Sequence, residues 1–269
     1  MAYLNFSPRT LPDEMEHLVA SAGWGLVVAA SLLAGALVAA LTSLPPKLAA
    51  AITAFGGGVL FSAIALELVP DADRSAGPWL TAAGLLGGTL AYVLADRRLN
   101  RDRGMASMRR SGHAAAAGKE MMPAARSGEA GRGESIAAGI FIDGVPESIA
   151  LGLTVAEGRL GLALLAGVLV GNVVEAYGAA QPILAGGRSA RFAVGLLGTI
   201  GLALAGATIV GATVLAGADP AVIGTAQAIA AGAVLAVVSI AVIPHAFEEV
   251  SSLVATATAL GFIAGYLLS

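Results

Sequence analysis

Long charge-free runs alternate with short polar knots along this chain. A helix that crosses a bilayer needs about 20 predominantly apolar residues. Eight runs approach that length, at about 18–43, 48–69, 78–95, 135–155, 160–183, 191–216, 221–244 and 250–268. The knots that end them carry turn or charge signals: "LPPK" after the first, "VPDAD" after the second, "DRR" after the third. The fourth and fifth runs are the weakest by hydropathy, because they hold acids. The pattern predicts an all-α polytopic membrane protein with eight transmembrane helices. Residues 97–134 break it with a polar, basic, Gly- and Ala-rich stretch that cannot form a core. That stretch reads as a flexible loop within a single membrane domain. Residues 1–96 then hold spans one to three, and residues 135–269 hold spans four to eight.

Composition sharpens this reading. Hydrophobic residues make up 57% of the 269 and charged residues only 12%, where a soluble domain carries about 25% charged. The 36 glycines suit helices whose backbones approach closely inside a bilayer. With no cysteine, disulfides and thiolate metal sites are excluded. The net charge of −3 and the lack of basic segments interleaved with aromatics argue against a nucleic-acid partner. The segment before the first span has no basic n-region, and the apolar run after it is too long for a signal peptide, so it reads as a retained anchor.

Loop charges set an orientation. With eight spans, the loops on one face hold Lys47, nine Lys/Arg within 97–132, Arg188 and Arg191. The other face holds only Arg9, Arg74 and Arg159. Basic loops stay cytoplasmic, which places both termini outside, in a multi-pass protein of a prokaryote-type inner membrane. The outer face is acidic, with Asp13, Glu14, Glu16, Asp71, Asp73, Glu157 and Asp219, and would draw cations toward it.

The chain also repeats itself. "GGVLFSAIALELVPDA" (57–72) lies over "AGAVLAVVSIAVIPHA" (231–246) at an offset of 174, and the same offset carries Gly87 to Gly261 and Tyr92 to Tyr266. Spans two and three therefore resemble spans seven and eight. Because span two runs outward and span seven inward, the repeat is inverted. The predicted arrangement is 3+2+3, with spans 1–3 and 6–8 as the copies and spans four and five between them. Inverted repeats are characteristic of secondary transporters that bind their substrate near the midplane.

The two middle spans carry the chemistry. In "FIDGVPESIALG" (141–152), Asp143 and Glu147 stand four apart and share a helix face. Pro146 between them removes a backbone donor and frees a carbonyl one turn back. In "VGNVVEAYGAAQPI", Asn172 and Glu175 stand three apart and again share a face. A carboxylate at the bilayer centre costs about 2.5–3.5 kcal/mol on insertion scales. No Lys or Arg lies within either span, so protons or metal ions must offset that cost. Asp143, Glu147, Asn172 and Glu175 together offer the oxygen donors that hold a divalent cation, and loading such a site releases protons. Along the route, Glu67, Asp71, Gln181, His245 and Glu248 are pathway candidates. Glu67, near a span end, reads first as a snorkelling acid. His245, Glu248 and Glu249 read first as a solvated helix end, and otherwise as a release site.

These residues and spans resemble the ZIP (Zrt/Irt-like) divalent metal transporters. The family's span-four motif reads His-Asn-x-Pro-Glu-Gly. Pro146 and Glu147 match it, while Asp143, Gly144 and Ser148 replace the histidine, the asparagine and the glycine. In span five, Asn172 and Glu175 match an Asn/Asp-x-Pro-Glu setting, with Val174 in place of the proline. Many members have a further Glu in span six, whereas here no charge lies between Arg191 and Asp219. The resemblance implies transport of a divalent transition metal into the cytoplasm by alternating access. It also implies a homodimer, and a unit of spans one, four, five and six that moves against a scaffold of two, three, seven and eight. Zn²⁺ heads the cargo candidates, with Fe²⁺, Mn²⁺ and Cd²⁺ beside it. No enzyme signature accompanies the acids: His-Glu-x-x-His is absent, and the three histidines, at 17, 113 and 245, lie far from Asp143 in sequence. The alternatives are a proton-coupled transporter of another solute and a non-transporting ZIP-like membrane protein with an altered site.

Overall fold

A computed structural model describes residues 11–99, 137, 140–141, 144–155, 161–214 and 218–269. Among these residues there is no strand; the elements are helices. They are α1 (Leu11–Leu41), α2 (Pro46–Ala63), α3 (Val69–Ala76), α4 (Pro78–Leu99), α5 (Gly144–Val155), α6 (Leu162–Ala185), α7 (Ala190–Val214), α8 (Pro220–Val237), α9 (Ile243–Val250) and α10 (Leu253–Leu268). Two π-helical turns, Ile64–Leu68 and Val238–Val242, join α2 to α3 and α8 to α9. Six of the described segments are long and apolar enough to cross a membrane: Leu18–Leu41, Lys47–Ala76, Pro78–Ala95, Leu162–Ala185, Ala190–Val214 and Pro220–Ile240. Gly144–Val155 and Leu253–Leu268 are shorter apolar helices. The chain is a polytopic helical membrane protein by this measure. The predicted loop lies outside the described residues from position 100 onward.

Two predicted ends need correction. The second span was expected to stop at about 69, ahead of "VPDAD", and the seventh at about 244. Both helices instead run on, to Ala76 and to Val250. A proline in a helix lacks its N–H and its ring collides with a carbonyl one turn back. A π turn directly ahead of each proline widens the backbone: the Val69 N–H reaches Ile64 O, five residues earlier, just before Pro70. The same device precedes Pro244, where the Ile243 N–H reaches Val238 O. Widened single turns of this kind are a known cause of helix kinks.

The repeat is visible in these boundaries. Pro46–Ala63 and Pro220–Val237 are both 18 residues long, Ile64–Leu68 and Val238–Val242 both five, Val69–Ala76 and Ile243–Val250 both eight. Each bound lies 174 residues after its counterpart. Gly77 (φ 80°) and Ser251 (φ 51°), also 174 apart, both end the paired helices with a positive φ. After that turn the register slips by one. A Cβ on Gly261 would lie 1.9 Å from Phe55 O, and its structural counterpart is Gly88, whose Cβ would lie 1.9 Å from Ile229 O. Gly87, which the sequence matches to Gly261, has no atom within 4 Å of such a Cβ.

Glycine contacts also give the direction of each helix. Gly25 packs on Ala205 and Gly201 on Ala29, so α1 and α7 run antiparallel. Ser31 meets Asn172 and Gly35 meets Val173 and Ala176, so α1 and α6 run parallel. Gly144 meets Leu204 and Gly152 meets Thr208, so α5 runs parallel to α7. By the same reasoning α2 is antiparallel to α6 and parallel to α10, and α4 is parallel to α8. Taken in chain order, α1, α2–α3, α4, α5, α6, α7, α8–α9 and α10 alternate in direction. The main core joins Val28, Leu32 and Ala36 of α1 to Leu151, Leu164, Ile183, Leu197 and Leu204. These are small or aliphatic side chains, as backbone approach through Gly and Ala requires.

Candidate functional site

Helix α5 carries Glu147, which is only 7% exposed, and Ser148, which is fully buried. Ser148 Oγ has no hydrogen-bond partner among the described residues. Asp143, the intended partner of Glu147 one turn earlier, lies outside the described residues. So does the carbonyl that Pro146 was expected to free. Helix α6 carries the other half. Because α5 is parallel to α7, α7 antiparallel to α1, and α1 parallel to α6, α5 and α6 run antiparallel. At 1.5 Å rise per residue, Glu147 lies about 12 Å along α5 from Val155, and Asn172 about 15 Å along α6 from Leu162. A Cβ on Gly161 would lie 3.5 Å from Thr154 Cγ2, which levels the two helix ends, so Asn172, eleven residues past Gly161, lies about one turn further in than Glu147, seven residues before Thr154. Glu175 stands one turn further along α6 and is half-buried.

Asn172 is 2% exposed, and its Nδ2 donates to Ser31 Oγ of α1 at 3.1 Å. The Ser31 hydroxyl in turn donates to Val28 O at 2.6 Å. Further along α6, the Tyr177 hydroxyl accepts from the Leu44 N–H at 2.7 Å, and Gln181 Nε2 donates to Ala39 O at 3.4 Å. A row of polar groups on α6 is thus spent on α1 and the turn after it. Gln181 serves as a tie between two helices here. Ser31 and Tyr177 went unnoticed in the sequence, where a single Ser or Tyr in an apolar run gives no signal. Only the partner helix shows their role.

Glu67 corrects the snorkelling reading. It is 7% exposed, and its carboxylate accepts from the Ala163 N–H at 3.2 Å and the Leu164 N–H at 3.3 Å. The first turn of a helix leaves four N–H groups without intrahelical partners and carries a partial positive charge. Glu67 supplies to α6 from another helix what an N-cap residue supplies locally. The residue before α6, Gly161, has no side chain with which to do so. A Cβ there would meet Glu67 Oε2 at 2.8 Å, so the glycine makes room for the carboxylate. Glu67→Gln keeps one acceptor and loses the charge, and is expected to cost about 1–2 kcal/mol. The check is a lowered melting temperature of the purified protein in detergent, with Glu67→Asp no better because its chain is shorter.

The remaining pathway candidates are dispersed. Asp71, 5% exposed, pairs with Arg74 one turn on. Glu248 is exposed on α9. His245 belongs to α9, and its side chain lies outside the described residues. Among the described residues no three His, Cys, Asp or Glu side chains come together to hold a metal ion. Of the four residues expected to form the site, Asp143 is outside that description and Asn172 is an amide. The described carboxylates of the four are Glu147 and Glu175. Neither a scan against models of known protein families nor a search of curated proteins returns a match to this chain.

Proposed function

We propose that this chain is a ZIP-like transporter of divalent transition metals, with eight spans and both termini outside. It would move its cargo inward by alternating access past Asp143, Glu147, Asn172 and Glu175. The observation that carries this reading is the buried Glu147 on α5, within about a turn of the depth of the buried Asn172 on α6. A carboxylate at such a position in a membrane protein is costly and marks an ion or proton route. Two further observations support it. The strict alternation of direction suits eight passes, with α5 and α10 as the short ones. The 174-residue recurrence of helix, π turn and helix suits an inverted-repeat scaffold. α1 packs on α6 and α7, and α5 on α7, while α2 pairs with α10 and α4 with α8; the two pairs meet through α3, α9 and the π turns, and α2 also packs along α6. The contacts onto α6 include Glu67 at its N-terminus. Pairing as a homodimer belongs to the same reading.

Purified protein in proteoliposomes should take up Zn²⁺ saturably, with Fe²⁺, Mn²⁺ and Cd²⁺ as the comparison panel. Uptake of none of the four, together with proton-driven uptake of another solute, would assign the carboxylates to proton coupling instead. Sidedness is a separate prediction. The parent has no cysteine, so Arg188→Cys and Ala218→Cys each create a unique label site. An impermeant maleimide added to intact cells should label position 218 and leave position 188 unlabelled until the membrane is opened. Labelling of both from outside would refute the proposed topology.

A further inference from the structure

The hydrogen bonds around Ser31 decide which end of the Asn172 amide faces which way. A backbone carbonyl can only accept, so the Ser31 hydroxyl spends its single proton on Val28 O, at 2.6 Å. What Ser31 Oγ then presents to Asn172 is a lone pair. Only the NH₂ end of the amide can satisfy it, and Nδ2 does so at 3.1 Å. The two ends of a planar amide point apart, so Oδ1 is turned away from α1. Among the described residues, nothing donates to Oδ1. Both residues are buried, Ser31 at 7% and Asn172 at 2% exposure, so bulk water does not compete for the arrangement.

We propose that Ser31 is a positioning residue: it holds Asn172 with its oxygen rather than its NH₂ available to a divalent cation. This rests on the reading of Asn172 as part of the cation site. The consequence is chemical. An amide oxygen is a hard donor that joins carboxylates around a divalent cation, whereas an NH₂ group repels the cation and hydrogen-bonds to a carboxylate. Without Ser31 the amide is free to turn, and its N–H can settle on a neighbouring carboxylate. The cation must then break a charge-assisted hydrogen bond before it binds.

The test uses Zn²⁺ and Mn²⁺ uptake by the full chain in proteoliposomes, with KM and the maximal rate resolved separately. Ser31→Ala should raise KM about tenfold while the maximal rate stays near the parent's. Ser31→Thr, which keeps the hydroxyl, should restore KM. The decisive comparison is made on Asn172→Asp. A carboxylate has no wrong end, so adding Ser31→Ala to Asn172→Asp should leave KM within about twofold. A merely structural serine would hurt both backgrounds alike, and that result would overturn the proposal. A parental KM in Ser31→Ala, with uptake impaired by Asn172→Ala, also overturns it while leaving the site reading intact. Parental uptake by Asn172→Ala removes Asn172 from the site, and the role of Ser31 with it; failure of the parent to move either metal does the same. If Ser31→Ala does not purify folded, Ser31→Cys keeps the size but accepts N–H poorly, and a parental KM there overturns the proposal equally.

Discussion

Glu147→Gln is expected to reduce saturable divalent-metal uptake to the background of empty liposomes, while expression and elution as a folded protein stay unchanged. The substitution keeps the shape of a side chain that is 7% exposed and removes the negative charge. A divalent cation in a low-dielectric setting depends on that charge, and a neutral amide replaces it poorly. Glu175→Gln should act in the same direction with a smaller effect, because Glu175 is only half-buried and water screens it more. The metal-induced rise in melting temperature should vanish in parallel with uptake, since a ligand stabilises a fold only as far as it binds. Asp143→His adds an imidazole, which suits zinc better than a carboxylate does, and should shift preference toward Zn²⁺ over Mn²⁺. Parental uptake in both Glu147→Gln and Glu175→Gln would place the cation route elsewhere.

Gly88→Leu is expected to abolish recovery of folded protein, and Gly261→Leu to do the same, while Gly87→Leu leaves the protein intact. Any side chain at Gly88 begins with a Cβ 1.9 Å from Ile229 O, and at Gly261 with one 1.9 Å from Phe55 O. Both obstacles are backbone carbonyls within helices, which cannot rotate aside. The helices α4 and α8, or α10 and α2, must then separate. Ordinary overpacking costs about 1–3 kcal/mol, and a clash with backbone exceeds that range. Gly87 faces open space, and a change there should stay within about 0.5 kcal/mol. Size-exclusion profiles and thermal unfolding in detergent give the comparison. Equal stability of Gly87→Leu and Gly88→Leu would mean that this helix contact is misplaced.

Gly87 and Gly88 also show where sequence reading stops. At the constant offset of 174, Gly87 falls on Gly261, and both are glycines, so the match looks complete. The structural partner is Gly88, because the second copy has one residue fewer between Ser251 and Gly261 than the first has between Gly77 and Gly88. A one-residue slip costs nothing in an alignment of Ala and Gly but rotates a helix by about 100°, which separates a buried contact from an exposed face.

The apolar runs by themselves determined the helical, membrane-embedded character of the chain and the placement of most helices, because burial in lipid demands about 20 apolar residues per pass whatever the neighbours are. The acids at 147 and 175 were legible for the same reason: in a span with no basic residue a carboxylate stands out. The repeat was legible through its prolines and glycines. The tertiary structure alone decided what the polar groups touch. Glu67 looked like an acid at a span end, and the fold turns it onto the first turn of α6. The second and seventh runs looked finished at about 69 and 244, and the π turns ahead of Pro70 and Pro244 let both helices continue. Gln181 looked like part of a route and ties α6 to Ala39. Ser31 gave no sign at all. Hydropathy sums over a helix and is blind to which face meets which neighbour. A hydrogen bond needs two groups within about 3 Å, and only the packing of separate helices brings such groups together.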